Sequence, residues 1–228
     1  MPKRPARSAP RTVTLCGRPL AEPGHICAFF DSHDQEYQIL NPYYEEGIQL
    51  NEEVINIVDA EQRGEHLTRL AAHGIDVEAA IENGRLRVLT SEETYTKGGT
   101  FGADRMYELL HAALADANEK GRRVRVSGVM DWATRSHAGT EELMEYESRV
   151  NLLVPTYECT LLCVYDINEI GGPMIMEVLR THPYIVLGDR IRENPHYGFP
   201  VALLREVLPH TMRRESRSVG RLLALSTD

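Results

Sequence analysis

Short apolar runs alternate with longer segments of helical periodicity from Gly24 onward. Strands separated by helices are joined by right-handed crossovers, which place the strands parallel in one sheet with helices on both faces. Strands buried on both faces appear as continuous apolar runs rich in β-branched residues. The pattern therefore predicts an α/β fold of three layers with a mainly parallel sheet. The runs are HICAFF (25–30), VINIV (54–58), LRVL (86–89), VRVSGVM (124–130), TLLCVY (160–165) and YIVLG (184–188).

Helical periodicity fills the stretches between these runs. The segment 104–121 has apolar residues at helical spacing, and Gly121 is suited to a left-handed helix end. We expect one sizeable domain, because 228 residues are enough to bury a single core. The predicted helical segments are 36–50, 64–74, 76–84, 104–121, 140–153 and 173–181.

The charge distribution is uneven along the chain. Four of the 25 basic residues lie in the first dozen positions, which leaves 21 basic against 34 acidic residues in the rest. Such a surface repels phosphate, so we expect no direct binding of nucleic acid. No run approaches the roughly 20 apolar residues that span a bilayer, and no secretion signal is recognisable. The cysteines show no C-x-x-C pair, and the expected location is the cytoplasm.

The two ends of the chain differ from the middle. Residues 1–12 are rich in Pro, Arg and Ser and have no apolar face, and we expect a disordered basic tail over 1–20. The predicted α/β domain is expected over 21–200. Residues 201–228 carry one apolar stripe and then an Arg-rich stretch, which predicts a helix and a tail, or a segment that docks on a partner.

Acidic residues follow most of the predicted strands. Ligands of open α/β sheets bind outside the carboxyl ends of the strands, so these positions are candidate contacts. Asp and Ser are also preferred helix N-caps in such loops, and this alternative stays open. The strand-end residues are Asp31 and Ser32, Asp59, Asp131 and Trp132, Asp166, and Asp189.

Motifs for the common catalytic and nucleotide-binding devices are missing. No P-loop and no G-x-G-x-x-G follows a strand, and KGGTFG (97–102) has its lysine before the glycines. No G-x-S-x-G elbow is found either. Glu145 and Glu147 are two residues apart on a helix, so they cannot share a face. We therefore expect a protein without enzymatic activity and with no assigned cofactor.

Potential metal ligands lie in or beside three of the predicted strands. His25 and Cys27 are two residues apart, so their side chains point to the same face. Cys163 and His182 are candidates to join them from other strands, which gives a metal-binding protein or an enzyme as the alternative function. Buried cysteines of cytosolic strands are also common as small apolar side chains, so no metal ligand is assigned, and metal binding by His25, Cys27 and Cys163 stays open.

Five motifs taken together resemble the MEDS family, a sensory domain of methanogens and methylotrophs. They are GHICAFFDS (24–32), RVRVSGVMDWA (123–133), MEYESRVN (144–151), LLCVYDINEI (161–170) and THPYIVLGDRIRENPHY (181–197). The resemblance implies a RecA/KaiC-like architecture without a phosphate-binding loop. It also implies sensing of a small molecule, such as a hydrocarbon derivative, and signalling to a separate output protein of regulator, kinase or anti-sigma type.

The resemblance also implies a set of ligand-binding residues. Trp132 is the only tryptophan, and it is predicted either to wall an apolar pocket or to anchor the core. A degenerate nucleotide-binding scaffold remains an alternative function, and a homodimer is a possible assembly. The predicted ligand-binding residues are His25, Cys27, Asp31, Met130, Trp132, Glu147, Cys163, Tyr165, Asp166, His182, Asn194 and Tyr197.

Overall fold

The computed structural model describes residues 13–20, 24–135 and 139–198. The strands are β1 (Val13–Leu15), β2 (Arg18–Leu20), β3 (His25–Phe30), β4 (Glu53–Val58), β5 (Leu86–Thr90), β6 (Val124–Val129), β7 (Thr160–Asp166), β8 (Tyr184–Leu187) and β9 (Arg190–Glu193). The helices are α1 (His33–Gln49), α2 (Arg63–Ala72), α3 (Val77–Glu82), α4 (Ala103–Glu119), α5 (Leu143–Val150), α6 (Leu153–Tyr157) and α7 (Gly172–Thr181).

Seven strands form one sheet in the order β5-β4-β6-β7-β3-β8-β9. All neighbouring strands pair in parallel except β8 and β9, which are antiparallel. The central strands β3, β4 and β6 are buried along their whole length, as their apolar runs predicted. The register of β3 and β7 places Cys27 beside Cys163 and Phe29 beside Tyr165. The predicted mainly parallel sheet is confirmed.

Helices cover both faces of this sheet. Helix α1 packs through Leu40 and Tyr43 against the face that carries Ile26 and Val54, and α2 and α3 lie on the same side. Helices α4 to α7 pack on the opposite face, where Cys27 and Cys163 point. Side chains alternate between the two faces along each strand, so each strand contributes to both halves of the core. The result is the predicted three-layer architecture.

The prediction of disorder over residues 1–20 is wrong for residues 13–20. Strands β1 and β2 form a hairpin in which Val13 pairs with Leu20. Its two turn residues, Cys16 and Gly17, have φ values of 52° and 65°, and positive φ at both positions matches the right-handed twist of a hairpin. Val13 and Leu15 are buried in the core on the α1 side, so apolar burial offsets the entropy of ordering the hairpin.

The other differences lie at the carboxyl end. The sequence predicts no strand after residue 188, but Arg190–Glu193 forms β9, which pairs with β8 through a turn at Gly188. Its residues are largely exposed and charged, as is common in edge strands. They therefore lack the apolar pattern from which a buried strand is predicted. The helix and docking segment expected over 201–228 lie outside the described residues.

Candidate functional site

Four ionisable side chains meet inside the protein on the α4–α7 side of the sheet. We call His25, Glu147, Cys163 and His182 the polar cluster. Nε2 of His25 lies 3.1 Å from Oε2 of Glu147 and 3.4 Å from Sγ of Cys163. Nε2 of His182 lies 3.5 Å from the same carboxylate oxygen. All four residues are buried, and one ligand-type atom from each lies within 4.8 Å of the others.

Four different elements supply the polar cluster. His25 is the first residue of β3, and Cys163 lies in the middle of the adjacent β7. Glu147 comes from α5, and His182 ends α7 just before β8. The side-chain amide of Asn151 donates to the carbonyl oxygens of Glu147 and Thr181 at 3.0 and 2.8 Å. This amide therefore joins α5 to the end of α7 beside the cluster.

Burial controls the ionisation of these side chains. It lowers the pKa of both His25 and His182 to about 3, so both imidazoles are neutral at pH 7. The neighbouring His25 contributes to the lowered pKa of His182. Burial also raises the pKa of Glu147, and it raises the pKa of the Cys163 thiol well above its usual range. The environment thus disfavours every charge in the cluster unless an opposite charge accompanies it.

The orientation of His182 is fixed by its surroundings. Its Nδ1 lies 2.8 Å from the carbonyl oxygen of Val178 and 2.8 Å from Oγ1 of Thr181. A carbonyl oxygen only accepts, so Nδ1 carries the proton and Nε2 presents a lone pair to Glu147. The amide of Asn194 donates to the carbonyl oxygens of Leu179 and His182, which holds the end of α7 in place. Asn194 therefore supports His182 in this structure.

Cys27 lies on the same face but faces a different partner. Its Sγ donates to the carbonyl oxygen of Tyr184 at 3.6 Å, and burial raises the pKa of its thiol. The four ligand-type atoms that meet come from His25, Glu147, Cys163 and His182. The metal-ligand set considered from the sequence is therefore corrected, with Glu147 in the place of Cys27. Side chains from α5 and β7 meet only through the packing of helix on sheet, which sequence spacing does not specify.

A second feature lies at the carboxyl ends of β3, β6 and β7. Helix α1 follows β3 on one face of the sheet, whereas α7 follows β7 on the other. Neighbouring strands whose connections leave on opposite faces leave an opening between them. A crevice lies at this point and encloses about 10 Å³, which is room for about one water molecule. Its walls are Phe30, Ser32, His33, Glu36, Val129, Asp131, Val164, Tyr165 and Asp166.

The crevice is acidic. Burial, together with the carboxylates of Asp59, Glu36 and Asp166, raises the pKa of Asp131 to about 6. Oδ1 of Asp131 accepts a hydrogen bond from the backbone N–H of Asp166 at 3.3 Å. The side chain of Ser32 accepts a hydrogen bond from the backbone N–H of Gln35 and so caps α1. The alternative that this strand-end residue is a helix N-cap is therefore correct for Ser32. Glu36 and His33 were missed from the sequence, although both lie in the first turn after a strand end.

The predicted ligand-binding residues thus fall into separate places. His25 lies at the amino end of β3, so a single pocket at the carboxyl ends does not contain both His25 and Asp166. Tyr165 borders the crevice, and its buried hydroxyl has no hydrogen-bond partner among the described residues. Asp31 is exposed at the end of β3, and Tyr197 is half-buried near the described carboxyl end. Their role in binding a ligand stays a prediction.

Trp132 is a core anchor in this structure. It is 1% exposed, and its ring stacks on Tyr95 and Phe101 with centroids 5.0 Å away in each case. Met130 is fully buried in the same apolar cluster. Neither residue is among the walls of the crevice. The sequence left two roles open for Trp132, a pocket wall or a core anchor. Its packing in this structure is that of a core anchor.

The architecture is that of a RecA/KaiC-like protein. A KaiC-like protein from the hyperthermophilic archaeon Pyrococcus horikoshii OT3 superposes with a TM-score of 0.56. The match covers 77% of this chain and 80% of that chain at 13% identity. An identity this low establishes the fold alone. No helix of the described residues is long and apolar enough to cross a membrane.

The sequence identifies the family within this fold. The chain belongs to the MEDS family, described as the MEthanogen/methylotroph, DcmR Sensory domain, which it matches over residues 24–183. The resemblance seen in the five motifs is confirmed, and the chain contains a sensory domain. Transcriptional repressor DcmR of Methylorubrum extorquens is 25% identical over 171 residues. The match covers 74% of this chain and 61% of the length of that relative.

Proposed function

We propose that this sensory domain binds a small molecule in the crevice at the carboxyl ends of β3, β6 and β7, and that it signals to a separate output protein in the cytoplasm. The observation that carries the proposal is the position of the crevice. It lies where α1 and α7 leave the sheet on opposite faces, which is where open α/β sheets bind their ligands. Membership of a sensory family supports it.

The chemistry of the walls selects the ligand class. Asp131, Asp166 and Glu36 surround the opening, so a phosphate or a carboxylate would be repelled. An alcohol or an amine donates hydrogen bonds to these carboxylates, and Phe30 and Val164 accept its alkyl part. The proposed ligand is therefore a small hydrocarbon derivative with a hydroxyl or amino group. This disfavours the alternative of a nucleotide-binding scaffold.

Ligand entry requires a change of shape. The crevice holds about one water molecule, whereas a cavity that binds a molecule as small as benzene encloses about 150 Å³. Binding would therefore separate α1 from the ends of β6 and β7. A ligand that binds only the open form shifts the equilibrium toward that form, and such a difference between two states is the requirement for a signal. The surface exposed on opening is the proposed contact for the output protein.

A thermal-shift screen of the purified full chain tests this proposal. The panel contains short-chain alcohols and amines, with ADP and acetate as anionic comparisons. A ligand present at a hundredfold excess over its Kd adds about 2.7 kcal/mol to the free energy of unfolding. We expect stabilisation by members of the first two classes only. Asp131→Asn keeps the shape of the wall but removes its charge, and it should abolish the shift caused by amines.

The matched control is Asp189→Asn. Asp189 follows β8, and its side chain is 80% exposed and absent from the crevice walls. This variant should keep the full thermal shift. The proposal would be overturned if no alcohol or amine stabilised the wild-type chain, or if the anions were the only ligands that did so.

A further inference from the structure

We infer that the polar cluster of His25, Glu147, Cys163 and His182 is a binding site for one divalent transition-metal ion of the zinc type. The four residues present two imidazole nitrogens, one thiol sulfur and one carboxylate oxygen toward a common point. Thiolate sulfur, imidazole nitrogen and carboxylate oxygen are all ligand types that zinc takes, and four protein ligands around it are arranged tetrahedrally. This site is separate from the crevice proposed for the small molecule, and the inference does not depend on that proposal.

The spacing of the ligand atoms fits tetrahedral coordination. Bonds of about 2.0–2.1 Å to nitrogen and oxygen and about 2.3 Å to sulfur place neighbouring ligands about 3.3–3.6 Å apart. The separations from His25 Nε2 to Glu147 Oε2 and to Cys163 Sγ are 3.1 and 3.4 Å. Glu147 Oε2 lies 3.5 Å from Cys163 Sγ and 3.5 Å from His182 Nε2. These four separations match those expected between ligands of a single ion, and the four ligand-type atoms all lie within 4.8 Å of one another.

The charges of the group also fit. A divalent cation with one thiolate, one carboxylate and two neutral imidazoles is neutral overall. A neutral assembly satisfies the requirement that buried charges be compensated. In the described residues, the ion pairs of Glu147 involve only His25 and His182, and no Lys or Arg accompanies it. A bound cation would supply the missing positive charge.

The hydrogen bonds around His182 prepare it as a ligand. Its Nδ1 donates to Val178, so the lone pair of Nε2 points at Glu147 Oε2, which is itself an acceptor. Nε2 of His182 has no hydrogen-bond partner in the described part of the chain. Two acceptors that face each other in a buried site need either a proton or a cation between them. Metal-bound histidines commonly donate their second nitrogen to a backbone carbonyl, as His182 does here.

The role of the ion follows from its surroundings. His25, Glu147 and His182 are fully buried and Cys163 is 7% exposed, so four protein ligands would close the coordination sphere. Closed zinc sites are structural, whereas catalytic ones keep a position open for water. The ion would therefore join β3, β7, α5 and the end of α7. Its affinity would appear as stability of the folded chain.

Metal analysis of the full chain tests the inference. The protein is refolded with Zn²⁺ or Co²⁺, freed of unbound metal and analysed by elemental mass spectrometry. We expect about one ion per chain. The Co²⁺ form should show the absorption of tetrahedral cobalt and a thiolate-to-cobalt charge-transfer band. Cys163→Ser should remove that band and weaken Zn²⁺ binding more than about 100-fold, since even indirect partners of metal ligands contribute 10–100-fold.

The matched control is Cys159→Ser, because Cys159 is equally buried but lies outside the cluster. This variant should keep both the ion and the cobalt spectrum. Glu147→Gln covers the case in which Cys163→Ser fails to fold, because it keeps the side-chain shape and removes a buried charge. It should fold, and Zn²⁺ should no longer raise its melting temperature. Wild-type protein that folds but takes up neither metal, or a cobalt spectrum that survives Glu147→Gln, would overturn the inference.

Discussion

The backbone N–H of Asp166 donates a hydrogen bond to Oδ1 of Asp131 at 3.3 Å, across the carboxyl ends of two neighbouring strands. This contact stabilises the charged form of Asp131, but burial and the nearby carboxylates outweigh it and raise its pKa to about 6. Asp131 therefore changes its charge between pH 5 and 7 inside the crevice. The relationship leads to a prediction about stability.

Asp131 should make the protein less stable as the pH rises. The folded pKa of about 6 lies above the unfolded value near 3.8, so the folded state holds the proton more tightly. Stability contributed by this proton is present below about pH 4 and is lost as the pH rises through 6. Asp131→Asn should therefore raise the free energy of unfolding by about 2–3 kcal/mol at pH 8 and by little at pH 4. Urea unfolding at both pH values measures the difference, and a gain independent of pH would contradict it.

Trp132 should contribute strongly to folding. Its ring is 1% exposed and lies against Tyr95 and Phe101. Trp132→Ala would leave a large cavity and should lower the free energy of unfolding by about 3–5 kcal/mol. Trp132→Phe keeps one aromatic ring in the stack and should cost less. Circular dichroism during urea unfolding measures both, and equal losses in the two variants would argue against the stacking.

The buried guanidinium of Arg125 should show strong coupling to Glu52. It is 1% exposed, and its Nε lies 2.5 Å from the carboxylate of Glu52, with a further ion pair to Glu46. Arg125→Met leaves the Glu52 carboxylate buried without its main partner and should cost about 3–5 kcal/mol. The double variant with Glu52→Gln should recover part of this loss. A double-mutant cycle measures the coupling, and additive losses would show that the pair is independent.

Gly47 should be required for the approach of α1 to the sheet. A Cβ at this position would lie 2.9 Å from Cδ of Arg125 and 2.9 Å from Cγ2 of Val54. Gly47→Ala should therefore destabilise the protein by about 1–3 kcal/mol, despite the helix propensity of alanine. Gly64 in α2 is the control, because a Cβ there meets no atom within 4 Å. Gly64→Ala should be neutral or stabilising in the same thermal unfolding assay, and a similar loss in both variants would contradict the steric explanation.

The sequence by itself determined the six strands β3 to β8 and the family. The runs that became β3, β4 and β6 are mainly apolar because both faces of these strands are covered, although Asn56 and Arg125 are buried among them. Such runs can be recognised from the local sequence alone. The hairpin at 13–20 and β9 were missed because they are short and lie at edges, where pairing partners matter more than local composition.

Only the tertiary structure decided which side chains meet. His25 and Cys163 are 138 residues apart, and they are neighbours because β7 inserts beside β3 in the sheet. Glu147 joins them because α5 packs over that face, and helical spacing alone gives no sign of this contact. Trp132 faces the core because the turn after β6 directs its ring between Tyr95 and Phe101. Local sequence shows which side chains are apolar and which carry nitrogen, oxygen or sulfur atoms able to coordinate an ion, whereas strand order and helix packing determine the distances between them.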